Sequence, residues 1–194
     1  AGSSYFDKDD EVRLDVTPTD EDGLSGSTLA SDPVTILNSA PSVGPLTIAP
    51  VDALYGDTLT CSWSIFSDPD GLGDPDESTV QWLMDGSVVG TGSTFAAGFV
   101  RGDTVTCRVT PSDGEDSGTP VSTSITIQNT APSVSSVTIS PNPAQTGDTL
   151  TCSYSGFTDV DGDSDVSTYS WLVNGSVVTS GTSLSGSFSG GDTV

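Results

Sequence analysis

Gly56-Asp57-Thr58-Leu59-Thr60-Cys61 recurs, residue for residue, as Gly147-Asp148-Thr149-Leu150-Thr151-Cys152, 91 positions downstream. Asn38-Ser39-Ala40-Pro41-Ser42-Val43 recurs at the same distance as Asn129-Thr130-Ala131-Pro132-Ser133-Val134. Trp82 recurs as Trp171, 89 positions on, so one loop ahead of it is two residues shorter in the second copy. Self-similarity of this length marks an array of modules rather than one fold built around a pocket.

Outward from the hexapeptide, residues 38–128 read as one complete unit of short strands. Strand A is expected at 45–49. Strand B is expected at 58–65, with Leu59, Cys61, Trp63 and Ile65 on one face at the period of a half-buried strand. Strand C covers 80–84 and carries Trp82, and Asp85-Gly86 turns it back into 87–89 as a hairpin. Strand E is expected at 94–99, F at 104–109 with Cys107, and G at 121–127. Residues 1–37 read as the end of such a unit. Phe6 to Asp20 aligns with Phe99 to Asp113, giving strands F and G at 11–16 and 33–37, with Leu14 where the complete unit has Cys107. Residues 129–194 read as strands A to E of a further unit, with Cys152, Tyr154, Trp171 and Phe188 on Cys61, Trp63, Trp82 and Phe99. The chain starts partway through a unit, which reads as a mature piece or a window on something longer. No stretch has helical periodicity, and no apolar run of about 18 residues is present to span a membrane.

Composition narrows the function classes. Apolar residues make up 33%, with 22 Gly and 12 Pro, which suits many short strands joined by turns. Twenty-seven acidic residues against four basic ones give a net charge of −23, so nucleic acid and anionic membrane surfaces are repelled. The only glutamates are Glu11, Glu21, Glu77 and Glu115; the rest of the acid is Asp, a turn former and a calcium ligand. With no histidine, Ser-His-Asp and Cys-His catalysis are excluded, and no enzyme is expected.

The Asn-Thr-Ala-Pro-Ser-Val linker, the Gly-Asp-Thr-Leu-Thr-Cys strand, the Asp-x-Asp-Gly loop and residues 102–114 (Gly-Asp-Thr-Val-Thr-Cys-Arg-Val-Thr-Pro-Ser-Asp-Gly) together resemble the tandem Ig-like (PKD- and cadherin-like) repeats of secreted bacterial surface fibres and adhesins. The resemblance covers essentially the whole chain. It implies an all-β fold of tandem immunoglobulin-like β-sandwiches, one complete and two partial. Cys61 on B, Trp82 on C and Cys107 on F match the core in which an inter-sheet disulfide packs on a Trp, so the resemblance implies a Cys61–Cys107 bridge and an oxidising, extracellular or cell-surface setting. A zinc site is the rival for cysteines, but no His and no C-x-x-C accompany them. Val105 stands at the tyrosine-corner position, so this is not an antibody-type domain.

The strongest chemical signal is Asp159-Val-Asp161-Gly-Asp163-Ser-Asp165, carboxylates at alternate positions around a Gly. Such a loop can wrap oxygens around a cation that takes six to eight ligands, so calcium is the expected cofactor. The complete unit carries the same series with two residues inserted, as Asp68, Asp70, Asp74 and Asp76. Loops B–C and F–G share one end of such a sandwich, so Asp113 and Asp116 are expected to converge on that series near Asn38, with Asp20 and Asp22 as their counterparts in the first fragment. The competing reading is that Asp-Gly and Asp-Pro are simply turns.

Three motifs read more simply than their names suggest. Arg101-Gly102-Asp103 spells an integrin-type tripeptide, but Gly-Asp-Thr recurs at Gly56, Gly147 and Gly191, always before a strand. Asn174-Gly175-Ser176 satisfies the N-glycosylation pattern, yet its counterpart Asp85-Gly86-Ser87 marks the position as a hairpin turn; the abundant Ser and Thr permit O-glycans. Trp63, Trp82 and Trp171 suggest a sugar platform or, for the last two, core packing. The functional expectation is an extracellular structural subunit of a calcium-stiffened filament, in which strands F and G of one copy complete strands A–E of the next, head to tail. Leu14 would then face Cys152. The alternatives are a cut from a longer continuous array and an adhesin stalk presenting a binding domain outside this chain.

Overall fold

In the computed structural model, which describes residues 6–70, 75–96 and 98–194, the chain is all-β and every strand pairing is antiparallel. It divides into two compact units, Ala1–Ile127 and Gln128–Val194.

The first unit opens with a long hairpin of four short strands: β1 (Glu11–Val12), β2 (Asp15–Val16), β3 (Leu29–Ala30) and β4 (Val34–Thr35). β1 pairs with β4 and β2 with β3. The strand expected over 11–16 is broken in the middle, because the Ser31 hydroxyl accepts the Leu14 N–H at 3.0 Å in place of a ladder carbonyl. The return arm also begins earlier than expected, at Leu29. One edge of this hairpin alternates apolar and polar residues, yet Val12, Leu14 and Val16 are all exposed.

A complete sandwich follows. Its strands are β5 (Ser42–Val43), β6 (Leu46–Ala49), β7 (Leu59–Trp63), β8 (Phe66–Ser67), β9 (Thr79–Met84), β10 (Ser87–Thr91), β11 (Thr94–Phe95), β12 (Thr104–Thr110) and β13 (Val121–Thr126). One sheet has the order β11-β7-β6, the other β10-β9-β12-β13, and β5 and β8 form a separate two-stranded pair. Strands E, B and A thus face the C hairpin (β10-β9), F and G. β12 shows why these residues make a strand: Val105, Cys107 and Val109 are buried and the residues between them are not, so one face is core and the other rim.

The core joins both sheets. Cys61 on β7 is bridged to Cys107 on β12, with Cα atoms 6.3 Å apart. Trp82 lies beside the bridge with no exposure, stacks on Phe95 at 5.7 Å, and donates its indole N–H to the Gly92 carbonyl at 2.9 Å. The buried aromatic thus keeps its one polar atom satisfied. Gly90 permits this packing, since a Cβ there would meet the Phe95 ring at 3.0 Å. The β9–β10 turn is Asp85-Gly86 with φ of +49° and +83°, the left-handed pair that a two-residue hairpin of this hand requires.

Two expectations fail locally. Strand B does not carry its inward face to Ile65: the ladder ends at Trp63, the chain bends, and Ile65 is exposed, lying over Gly44 while Phe66 and Ser67 pair with β5. Strand E is paired only over Thr94 and Phe95, although Phe99 beyond it is buried against Phe95.

The second unit repeats part of this plan. β14 (Ser136–Ser140), β15 (Thr149–Ser155) and β18 (Ser183–Ser185) form a sheet in the order β14-β15-β18, and β16 (Ser170–Val173) pairs with β17 (Ser176–Ser180). Its core is Leu150, Trp171, Val173 and Leu184, with Ile139, Cys152 and Phe188 packed at its margin. Trp171 donates to the Gly181 carbonyl at 2.9 Å, as Trp82 does to Gly92. Among the described residues β16 is paired with β17 alone, whereas its counterpart β9 lies between β10 and β12.

Candidate functional site: the acidic loops at the linkers

In the first unit, the linker pair Asn38-Ser39 runs between two acidic loops. The Asn38 side-chain amide donates to Asp113 Oδ2 and to Asp116 Oδ2, each at 3.0 Å. Ser39 gives its backbone N–H to Asp70 Oδ2 at 2.5 Å and its hydroxyl to Asp70 Oδ1 at 3.2 Å. Asp70 is positioned in turn by Asp68, whose Oδ1 accepts the Asp70 N–H at 2.8 Å. The linker, the loop between β8 and β9 and the loop between β12 and β13 are therefore laced together by carboxylates.

Asp113 is the buried member of this group, at 6% exposure. Its carboxylate receives the Asn38 amide and the N–H groups of Asp116 and Glu115, the last two at 2.7 and 2.8 Å on Oδ1. The Asn38 hydrogen bond, followed by that from the Asp116 backbone, holds its pKa down to about 2 against the opposing effect of desolvation. The same loop presses on the linker through Gly118, where a Cβ would lie 1.9 Å from the Pro41 carbonyl oxygen. Its Glu115 also takes an ion pair from Lys8 of the hairpin at 2.6 Å.

The second unit builds the same junction from the matching residues. Asp161 Oδ2 accepts the Thr130 N–H at 2.5 Å, as Asp70 accepts Ser39. Asp159 Oδ1 accepts the N–H groups of Asp161 and Asp163 at 2.8 and 3.2 Å. The last aspartate of each series turns to strand B instead: Asp76 accepts the Trp63 indole N–H at 3.1 Å, and Asp165 accepts the Tyr154 hydroxyl. The Tyr154 hydrogen bond holds the Asp165 carboxyl below its usual range. These aromatic-to-aspartate pairs were not expected from the sequence, although the repeat placed Trp63 and Tyr154, and Asp76 and Asp165, at matching positions.

The structure thus brings Asp68, Asp70, Asp113 and Asp116 around one linker, and Asp159, Asp161 and Asp163 around the next. Asp76 and Asp165 stand on the strand B side of their loops. Asp20 accepts the N–H groups of Asp22 and Leu24 within its own turn, at 3.1 and 2.8 Å. Asp74 lies outside the described residues. Each loop is held by aspartates that cap their own turns, so the turn-former reading describes one oxygen of most of these carboxylates.

The other oxygens differ. Asp159 Oδ2, Asp161 Oδ1, Thr130 Oγ1 and Asn38 Oδ1 are buried and accept no hydrogen bond. Among the described residues, no group of three or more Asp, Glu or Cys side chains is gathered closely enough to hold a metal ion. A cation at either linker would therefore draw on carbonyl and hydroxyl oxygens beside one or two carboxylates, a mixed donor set that calcium accepts.

The remaining motifs resolve into structure. Asp103 Oδ2 accepts the Val100 N–H at 2.8 Å, and the same turn is closed by Asp57 on Leu54, Asp148 on Gln145 and Asp192 on Ser189. The carboxylate of the integrin-type tripeptide is committed to its own turn. Asn174 has φ +49°, donates its amide to Asp192 Oδ1 at 2.8 Å and accepts the Thr193 N–H at 3.0 Å, so the glycosylation-type asparagine is a locked hairpin residue. Trp82 and Trp171 are core residues.

Protein-family models, curated proteins and solved structures give no match to this chain.

Proposed function

We propose that the chain is a non-enzymatic structural subunit of an extracellular filament, built from Ig-like sandwiches that join head to tail and are stiffened by calcium at the acidic linkers. The observation that carries this reading is the loop–linker junction, made twice at the repeat distance from matching residues. Asp70 holds Ser39 and Asp161 holds Thr130. A linker clamped by the loop of the unit it enters restricts the hinge between successive modules, which is what a load-bearing array needs.

The electrostatics of the second linker support calcium. Asp159 and Asp161 sit in one turn with one buried oxygen each that accepts no hydrogen bond. Two neighbouring carboxylates in that state repel and are under-satisfied, and a divalent cation relieves both costs. In this reading Asp159, Asp161 and Thr130 hold the ion in the second unit, and their counterparts at the 91-residue shift, Asp68, Asp70 and Ser39, do so in the first. The test is calorimetric unfolding with calcium, magnesium or EGTA. At one hundred times its Kd, calcium adds about 2.7 kcal/mol of stability. Identical transitions in calcium and EGTA would remove the metal from the account.

A second reading, repeats of an adhesin stalk that present a binding domain outside this chain, draws on the same junction made twice at the repeat distance. Self-association of the purified chain favours the filament, and a monomer at high concentration favours the stalk.

A further inference from the structure

The last aspartate of each acidic loop is engaged through both of its oxygens. Asp165 Oδ1 accepts the Ser167 N–H at 2.9 Å, and its Oδ2 accepts the Tyr154 hydroxyl. In the complete sandwich Asp76 Oδ1 accepts the Ser78 N–H at 3.0 Å, and its Oδ2 accepts the Trp63 indole N–H at 3.1 Å. Trp63 and Tyr154 stand at matching positions of strand B, 91 residues apart, yet differ in ring, size and donor atom. What the two units share at this position is a hydrogen-bond donor that reaches one carboxylate oxygen. A phenylalanine ring would cover the same part of the strand without it.

In the second unit this bond stands at one end of a short lever. Asp161, four residues before Asp165, holds the Thr130 N–H of the linker. Asp159 Oδ1 ties Asp161 and Asp163 into one turn. The loop therefore runs from linker to strand B with a side-chain bond at each end, and the Tyr154 ring is itself braced against Tyr169 at 5.8 Å. Resting on the clamped-linker reading above, we infer that Tyr154 and Trp63 are positioning residues of the two linker clamps. Each fixes the far arm of its acidic loop to strand B, so that Asp161 and Asp70 keep hold of Thr130 and Ser39. A pull on the linker then passes through the loop into the strand; in the complete sandwich that strand is bridged to the opposite sheet through Cys61. The device acts through hydrogen bonds of the chain itself and needs no bound ion.

Amide hydrogen exchange on the full chain, in EGTA, tests this with Y154F, W63F, W63Y and D161A. Each unit supplies its own reference on strand B: the Cys152 N–H, bonded to the Thr182 carbonyl, and the Cys61 N–H, bonded to the Ser93 carbonyl. D161A removes the clamp itself and should speed Thr130 exchange about tenfold, the worth of one hydrogen bond to a charged group. Y154F acts through the loop and should speed Thr130 by about threefold or more, with Cys152 and Ser39 unmoved. W63F should do the same to Ser39 against Cys61, and W63Y, which puts the second unit's donor in the first, should restore the original rate. Linker amides unmoved by Y154F and W63F, while D161A speeds Thr130, overturn the inference and leave the junction standing. Equal acceleration of the linker and reference amides, or W63Y as fast as W63F, also overturns it, because the ring and not its donor would then matter. Thr130 unmoved by D161A as well overturns the clamped linker and the inference together.

Discussion

Reduction of the Cys61–Cys107 bridge should destabilise one unit of the chain and leave the other untouched. The bridge spans 46 residues, and closing a loop of that size in the unfolded chain is worth about 4 kcal/mol. For a module of this size each kcal/mol moves the midpoint by roughly 4–8 °C, so the transition should fall by on the order of 15–30 °C. The second unit has a core of four buried apolar residues and a free cysteine, so it melts first and its midpoint should not respond to reductant. Calorimetry with and without a phosphine reductant resolves the two transitions. Trp82 fluorescence in a W63F/W171F background identifies the upper one. The reasoning fails if the reductant moves both transitions equally, or moves the upper one by less than about 1 kcal/mol.

Three further outcomes follow from the junctions. The carboxyl of Asp113 is held at about 2, below its ordinary 3.8, so it stabilises the fold fully when ionised above about pH 5 and that contribution is lost as pH falls through 3.8 toward 2; denaturant titrations from pH 7 to 2 should show a shallower slope in D113N, and an unchanged slope contradicts the assignment. D70A should speed hydrogen exchange at the Ser39 amide and D161A at Thr130, each leaving the other linker unchanged, with a loss of about 1.5 kcal/mol in the affected unit. G118A should cost about 1–3 kcal/mol, because its Cβ would press on the Pro41 carbonyl; a neutral result would show that this loop can move off the linker.

The fold was largely legible because its evidence is periodic and repeated. The alternation in Val105, Cys107 and Val109 specifies a half-buried strand, and the return of Trp82 as Trp171 marks the core. What could not be read was where a ladder stops. Ile65 continues the period of Leu59, Cys61 and Trp63, but a bend after Trp63 takes it out of the core, and that bend depends on pairing between β5 and β8 far apart in sequence. The break at Leu14 likewise depends on one hydroxyl 17 residues away.

At the site, the gathering of Asp68, Asp70, Asp113 and Asp116 near Asn38 was legible from loops that share one end of a sandwich. Their division of labour was not. An aspartate that caps its own turn and one that clamps a linker look alike in sequence, and only the backbone decides which N–H each oxygen meets. Asp20 shows the difference, since it resembles Asp113 by position yet, among the described residues, accepts the N–H groups of its own turn and no linker amide.

Electron microscopy of the purified chain at physiological salt, with calcium and with EGTA, bears most directly on a filament of linked sandwiches. The expected image in calcium is of stiff, unbranched fibres with a regular axial repeat, which soften or dissociate in EGTA. Dispersed single particles in both conditions, at concentrations where the chain is folded, would contradict it.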